Sequence, residues 1–411
     1  MLNINKNTNY HFLSLILVLV VAGSLVFPVM YFENIGLRLS DILVLVVVPV
    51  LYFYKPVVPK EKLFYIYMFF VFGSIFSLIY GYAFLGVPVS CRDWNEIVRV
   101  SSPLLLVMGL LNADKDFLIK TLNKFFYYGS FFVIFVALIE FFFPRSVGPF
   151  VAGLYNSGGQ LDYYIKYNAK RIFVTGSDPN TGAAIVLLFL EFNIICFLIK
   201  RNLSLLLTSL LLLLVLLSTG SRTGLVAFVV SLLVIVLITE VKYKRYNIII
   251  FFVVSGILLL IVPNIPYIYI GFSTLFTGTN TSVLARVDNV QEVLLLFKQS
   301  MFFGWGPAKE IHPTVVDGEY ILLLRRYGLV GLSSICVFML YNIIRILKNR
   351  TLLYLNDNGV YLLAILVVGY SASLSIIMLT NNFISGYQLL LPYMLLSFLV
   401  HFKISIIRKI K

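Results

Sequence analysis

A polytopic, all-α integral membrane protein is the fold class this sequence predicts. Apolar residues make up 60% of the 411 and charged residues only 12%, against about a quarter charged in soluble domains. Apolar runs long enough to cross a bilayer recur along the whole chain, and the charges gather in the short links between them. The third observation is the use of those charges. The net charge is +14, yet Lys and Arg occur singly between apolar segments and form no basic face for nucleic acid. Cys91, Cys196 and Cys336 are unevenly placed and support neither a disulfide framework nor a metal site.

Taken in order, Asn3 to Tyr10 is a polar leader and His11–Met30 a first span. That span resembles a signal peptide, but no small-residue cleavage site follows it, so it is expected to be retained. Further spans are expected at Leu39–Tyr54, Leu63–Leu85, Ile97–Leu111, Leu122–Phe143, Gly182–Ile199 and Leu203–Ser218. The remainder are Gly224–Thr239, Asn247–Val262, Gly328–Leu347, Val360–Leu379 and Phe383–Phe402. This makes about twelve transmembrane helices in one membrane domain, 1–411.

With Lys6 taken as cytoplasmic, most lysines fall in links on that side and most arginines on the other. Both termini are then cytoplasmic. Two long outward links follow, 144–181 and 263–327, the second containing an amphipathic helix. Arginine presents a planar fork suited to phosphate oxygens, whereas lysine is a mobile point charge. An outer face rich in Arg therefore suits a phosphate-bearing ligand. Arg38, Arg92 and Arg145 are read instead as anchors to lipid headgroups.

Four stretches carry more specific signals. STGSRTG (Ser218–Gly224) pins Arg222 at the membrane surface, with Ser221 and neighbouring small residues able to turn backbone donors towards an anion. TGSDPNTGAA (Thr175–Ala184) has Asp178 placed as an N-cap and Pro179 in the first helical turn, an anion-favouring helix start beside Asn180 and Arg171. Capping accounts for Asp178, which is given no catalytic role. In SVLARVDNVQEVLLLFKQSMFFGWGP, Leu284, Val287, Val290, Val293, Leu294 and Phe297 recur at helical spacing and leave Arg286 polar surroundings. This reads as a lid along the interface, ended by GWGP, with Trp305 as an interfacial anchor. In HPTVVDGEYILLLRRYGLVGL, a helix from Asp317 puts Glu319 and Arg326 on one face and suggests a structural pair. His312, Asp317 and Arg325 remain the candidates for chemistry.

Together, STGSRTG, GSDPNTGAA, ARVDN…FFGWGP and EYILLLRRYGLVGL, in this order, resemble the O-antigen polymerase and ligase superfamily. The resemblance implies a membrane glycosyltransferase of the GT-C type in lipopolysaccharide biosynthesis. It places the protein in the bacterial inner membrane, transferring a glycan from an undecaprenyl-diphosphate carrier on the periplasmic face. Ligase-type members usually carry a His-Asn pair eleven and ten residues before the first Gly of a GlyLeuXaaGly turn. Those positions here hold Asp317 and Gly318, with His312 five residues too early, which leans towards the polymerase.

The chemistry asks for charge to be collected on the departing diphosphate and for an acceptor hydroxyl to be positioned. Arg222 and Arg286, then Arg171 and Arg325, are expected to bind the diphosphate, and Asp317 or His312 to accept the proton. Asn180, Ser221, Glu319 and Tyr320 are further candidate substrate contacts. No metal, cofactor or nucleotide is expected, and no nucleic acid. Expected partners are the lipid-linked oligosaccharides, membrane lipids and a chain-length regulator. A ligase, and a lipid-linked oligosaccharide flippase without chemistry, are the alternatives. A flippase would concentrate charge inside its spans, where Asp41, Glu140 and Glu191 are few and dispersed.

Overall fold

The computed structural model describes residues 6–32, 35–53, 59–156, 171–240, 244–276, 281–312, 316–384 and 386–410. Part of the 144–181 link (157–170) and two stretches of the 263–327 link (277–280 and 313–315) lie outside the described residues. The structure is 81% helical. Among the described residues, eight helices are long and apolar enough to cross a membrane, and three shorter apolar helices join them.

The chain opens with α1 (Lys6–Leu25), a hairpin of β1 (Val29–Phe32) and β2 (Ile35–Arg38), and α2 (Leu39–Phe53). Then come α3 (Lys62–Leu85), α4 (Cys91–Asn112), α5 (Lys115–Phe142) and the short α6 (Gly148–Tyr155). The central group is α7 (Pro179–Lys200), α8 (Leu203–Ser218), α9 (Arg222–Ile238) and α10 (Lys244–Ile261). After it follow α11 (Pro266–Phe276), α12 (Thr281–Gln299), α13 (Glu319–Asn356), α14 (Asn358–Ile377) and α15 (Leu390–Ile410). Every predicted span overlaps one of these helices, and three departures from the expected boundaries bear on the arginine-rich end. The first span stops at Leu25, and the β-branched and aromatic residues after Pro28 pair as a hairpin, Val29 opposite Arg38. The last span starts at Leu390 rather than Phe383, because Tyr387 takes a left-handed φ of 58° and buried Gln388 donates to Thr175 O (2.8 Å). Asp317 precedes α13, which starts at Glu319 after Gly318 at φ 113°.

The most enclosed helices are α7, α14 and α15, apolar around their whole circumference and packed in the bundle centre. In lipid there is little hydrophobic drive between helices, so close packing and interhelical hydrogen bonds carry association, at about 0.6–2 kcal/mol per bond. Asn193 on α7 donates to Ser130 on α5 (2.7 Å), and Asn342 on α13 to Ser397 on α15 (2.8 Å).

The charged links sort to two ends. Arg345 pairs with Glu61 (2.6 Å), Arg350 with Glu240 (2.9 Å), and Lys403 with Asp116 and with Asp357 (3.6 Å), which joins the lysine-rich links at one end. The hairpin, the segment before α7, the α8–α9 turn and the α12–α13 link gather at the other, arginine-rich end.

At that end α13 is broken at Gly328, which has φ 59° and ψ −157°. The break strips carbonyls before it and amides after it of their helical partners. Residues 301–306 supply replacements as a strap. Trp305 N donates to Arg325 O (2.9 Å) and Gly306 N to Arg326 O (2.8 Å), while Leu329 N and Val330 N donate to Met301 O (2.9 Å) and Phe302 O (3.1 Å). From α3, the Ser77 hydroxyl donates to Arg326 O (2.6 Å) and accepts from Gly306 N (3.1 Å). The FFGWGP stretch is thus the other half of a helix break. A Cβ at position 328 would lie 2.4 Å from Phe302 O, in a backbone region open essentially to glycine alone. Gly328→Ala is expected to cost about 3 kcal/mol or more from strain and lost strap bonds. Thermal unfolding of the purified protein in detergent checks this, and an unchanged midpoint would contradict it.

Candidate functional site

Three helices begin at the arginine-rich end close together: α7, α9 and the first half of α13. Each start presents the positive end of a helix dipole. Asp178 caps α7, its Oδ1 accepting from Asn180 N (2.8 Å) and Thr181 N (3.1 Å). Ser221 caps α9, its Oγ accepting from Gly224 N (3.1 Å). The two motifs meet at one atom, because Asn180 Oδ1 accepts from both Ser221 Oγ (2.9 Å) and Arg171 Nη2 (3.1 Å).

Arg171 is held on every nitrogen of its fork. Its Nε donates to Thr219 O (2.8 Å) and its Nη1 to Tyr267 Oη (3.3 Å), and the guanidinium lies 5.2 Å from the Tyr267 ring centre. Arg222, in the first turn of α9, sends Nη1 to Gly271 O on α11 (2.8 Å). A Cβ at position 271 would sit 2.3 Å from that nitrogen, so a side chain there would displace the guanidinium. Thr380, after α14, donates to Thr223 Oγ1 (2.9 Å), and Glu319 N donates to Met378 O (2.8 Å). Residues 378–380 thereby connect the α9 start to the α13 start.

On the α13 side, Arg286 of α12 forms an ion pair with Asp317 (Nε to Oδ2, 3.6 Å), both partly exposed. His312 stacks edge-on against Trp305 at 5.6 Å, and its Nε2 is buried without a hydrogen-bond partner among the described residues. Burial first, then the Arg325 charge, hold the imidazole below its usual 6.5, with Glu292 opposing. It is therefore neutral at neutral pH and able to accept a proton. Arg325 itself is buried. Glu319 and Tyr320 are engaged in holding the junction, with Glu319 Oε2 accepting from Ile384 N (2.8 Å) and Tyr320 Oη donating to Ser375 O (3.1 Å).

The Glu319–Arg326 pair expected from their shared helix face does not form in that way. Residues seven apart on a helix are about 10 Å apart along its axis, and Arg326 turns to buried Glu96 on α4 instead (2.8 Å). Lys309 (3.0 Å) and Tyr327 (2.7 Å) complete the Glu96 shell, tying the α12–α13 link to α4. Trp305, read as an interfacial anchor, donates its indole N–H to Leu296 O (3.0 Å) and packs inside the link. Arg38, read as a headgroup anchor, donates to Gln388 Oε1 (3.0 Å), whereas Arg92 and Arg145 are exposed.

Sequence reasoning missed Glu140. Buried near the end of α5, its Oε2 accepts from Phe173 N (2.7 Å) and Val174 N (3.0 Å), fixing the turn that follows Arg171. A carboxylate within an apolar span was the available signal.

Beside Arg171 and Gly220 an apolar groove of about 520 Å³ runs between α5 and α8, lined by residues such as Phe141, Leu214, Ile265 and Tyr267. The Arg171–Asn180–Ser221 cluster thus stands beside this apolar groove, next to Gly220 and Tyr267 in its wall. Residues 207–320 match the family model described as O-Antigen ligase, which supports the resemblance to the O-antigen polymerase and ligase superfamily. The matched segment runs from α8 through α12 to the first residues of α13 and includes Arg222, Arg286, His312 and Asp317. The family points to a membrane enzyme of the glycosyltransferase or ligase type in O-antigen biosynthesis. No curated protein matches the chain.

The His312 environment makes a direct prediction. Its imidazole should titrate below the usual 6.5, and Glu292→Gln, by removing the opposing charge, should lower it further. NMR titration with His312→Gln for assignment reads both; a value at or above 6.5, or an upward shift in the Glu292 variant, would refute the placement.

Proposed function

We propose that the protein is an O-antigen polymerase that joins undecaprenyl-diphosphate-linked repeat units on the periplasmic face of the inner membrane. The observation that carries this reading is the convergence of Arg171 and Arg222 on the starts of α7 and α9, at the head of the groove between α5 and α8. The polyprenyl chain would lie in the groove and the diphosphate among the guanidiniums and helix-start amides.

In the transfer, a sugar hydroxyl of the acceptor attacks the anomeric carbon opposite the diphosphate. The new glycosidic bond forms as the carbon–oxygen bond to the diphosphate breaks, with inversion, and undecaprenyl diphosphate leaves with the electron pair. The hydroxyl proton passes to His312, neutral and with a free ring nitrogen, or to Asp317 once Arg286 is drawn to the diphosphate. Arginines oppose the charge that grows on the leaving group, so the step as drawn uses no metal. The carboxylates a flippase would need in its spans have structural partners here: Asp41 pairs with Arg99 (3.2 Å), Glu140 holds the 173–174 turn, and Glu191 accepts from Ser373.

The ligase is the second reading, favoured by the description of the matching family model. The polymerase is preferred because Asp317 and Gly318 stand where ligase-type members carry His-Asn. Deleting the gene and resolving surface polysaccharide on a gel separates them. Polymerase loss leaves core bearing a single repeat unit; bare core with lipid-linked polymer still present would mean ligase, and single units stranded on the cytoplasmic leaflet would mean flippase.

Arg222→Lys keeps the charge and loses the fork. We expect polymer formation to fall about 10–100-fold at normal protein level, the scale of one charge-assisted hydrogen bond. Full activity in that variant would remove Arg222 from the site.

A further inference from the structure

A second cavity, of about 620 Å³, lies at the lysine-rich end, between α5, α7, α8 and the start of α14. Lys120 and Lys124, four residues apart, project from one face of α5, and Lys200 reaches in from the last turn of α7. These three ammonium groups carry no ion pair or hydrogen bond among the described residues. The two carboxylates in the wall are already answered: Lys403 pairs with Asp116 and with Asp357 (3.6 Å). The cavity therefore holds an excess of positive charge. The N-termini of α8 and α14 also open onto it, at Asn202 and at Gly359.

Its deeper wall is of another kind. Phe192, Cys196, Leu205 and Leu362 make it apolar. Tyr128 beside it is 66% exposed, as is Leu203, on a flank that faces lipid in a membrane-embedded chain. A cationic rim over an apolar wall matches a phosphate headgroup with an acyl chain, not a free anion.

We propose that this cavity binds an anionic membrane glycerophospholipid, with Lys120, Lys124 and Lys200 on its phosphate and an acyl chain along Phe192 and Leu205. The site lies at the opposite end of the bundle from the arginines and is independent of the polymerase reading.

Native mass spectrometry of the full chain in neutral detergent, titrated with phosphatidylglycerol or phosphatidylcholine, tests it. We expect phosphatidylglycerol to bind in preference, and K120Q/K124Q/K200Q to weaken it about a hundredfold, at about fivefold for each lysine near an anionic headgroup. K124Q alone should show about a fivefold loss and serves if the triple variant does not fold. K60Q/K62Q, which removes charge elsewhere at the same end, should leave binding unchanged. Equal binding of the two lipids, or an equal loss in K60Q/K62Q, would overturn the site. Displacement by inorganic phosphate would identify a free-anion site, and displacement by a polyprenyl phosphate at lower concentration a carrier-lipid site; either overturns the glycerophospholipid assignment.

Discussion

Backbone polar groups within an apolar surround must find partners inside the protein, and this constraint shapes the arginine-rich end more than any other. Helices satisfy it automatically; wherever a helix stops, something else must. Here the replacements can be named. The 301–306 strap and Ser77 close the break at Gly328, Glu140 takes the amides of Phe173 and Val174, Glu319 takes that of Ile384, and Gln388 donates to Thr175 O. Each closure ties a non-helical segment to a helix distant in sequence. The irregular backbone becomes rigid, and the arginines mounted on it are held in place before any ligand arrives, which is the condition for electrostatic catalysis.

The cations of this chain serve in two ways. At the lysine-rich end Arg345, Arg350 and Lys403 are spent on carboxylates that join one link to another. At the other end Arg326 and Arg286 likewise pair with carboxylates, whereas among the described residues the bonds of Arg171 and Arg222 go to carbonyls, an amide oxygen and a phenol. Neutral acceptors fix a guanidinium without cancelling its charge. Such an arrangement keeps the positive potential available to an anion, which a salt bridge would not.

How much of this could be read from the sequence depends on the range of the interaction. The expected apolar segments fall on helices because hydropathy is local, though eight of those helices are long and apolar enough to cross a membrane among the described residues, and the Asp178 cap with Pro179 follows from neighbouring residues. The family resemblance holds over residues 207–320. What was illegible lies across the chain. Glu96 takes Arg326 from 230 positions away, and nothing near Glu319 announces that rival. Asp317 was assigned to a helix that Gly318 delays until Glu319, because hydropathy does not register a backbone break. The same blindness hid the role of GWGP. Its glycines read as a terminator, whereas they permit the close approach of one backbone to another across the α13 break.

The Arg286–Asp317 pair shows why α12 need not be as rigid as the rest. Both side chains are partly exposed, at 27% and 54%, and the 3.6 Å separation is long for an ion pair. Such surface pairs contribute about 0–1 kcal/mol, so little holds Arg286 to Asp317 once a diphosphate with more charge competes for it. Along α12, Val293 is buried against Val316 and Leu322, while Leu284, Val287 and Leu294 stay exposed and apolar. That stripe suits contact with lipid. On the proposed reading, a donor that draws Arg286 inward leaves Asp317 without its counter-ion beside the acceptor. Binding of the leaving group and readiness of a base would then be coupled through one exchangeable guanidinium, and the weakness of the resting pair is what makes that coupling inexpensive.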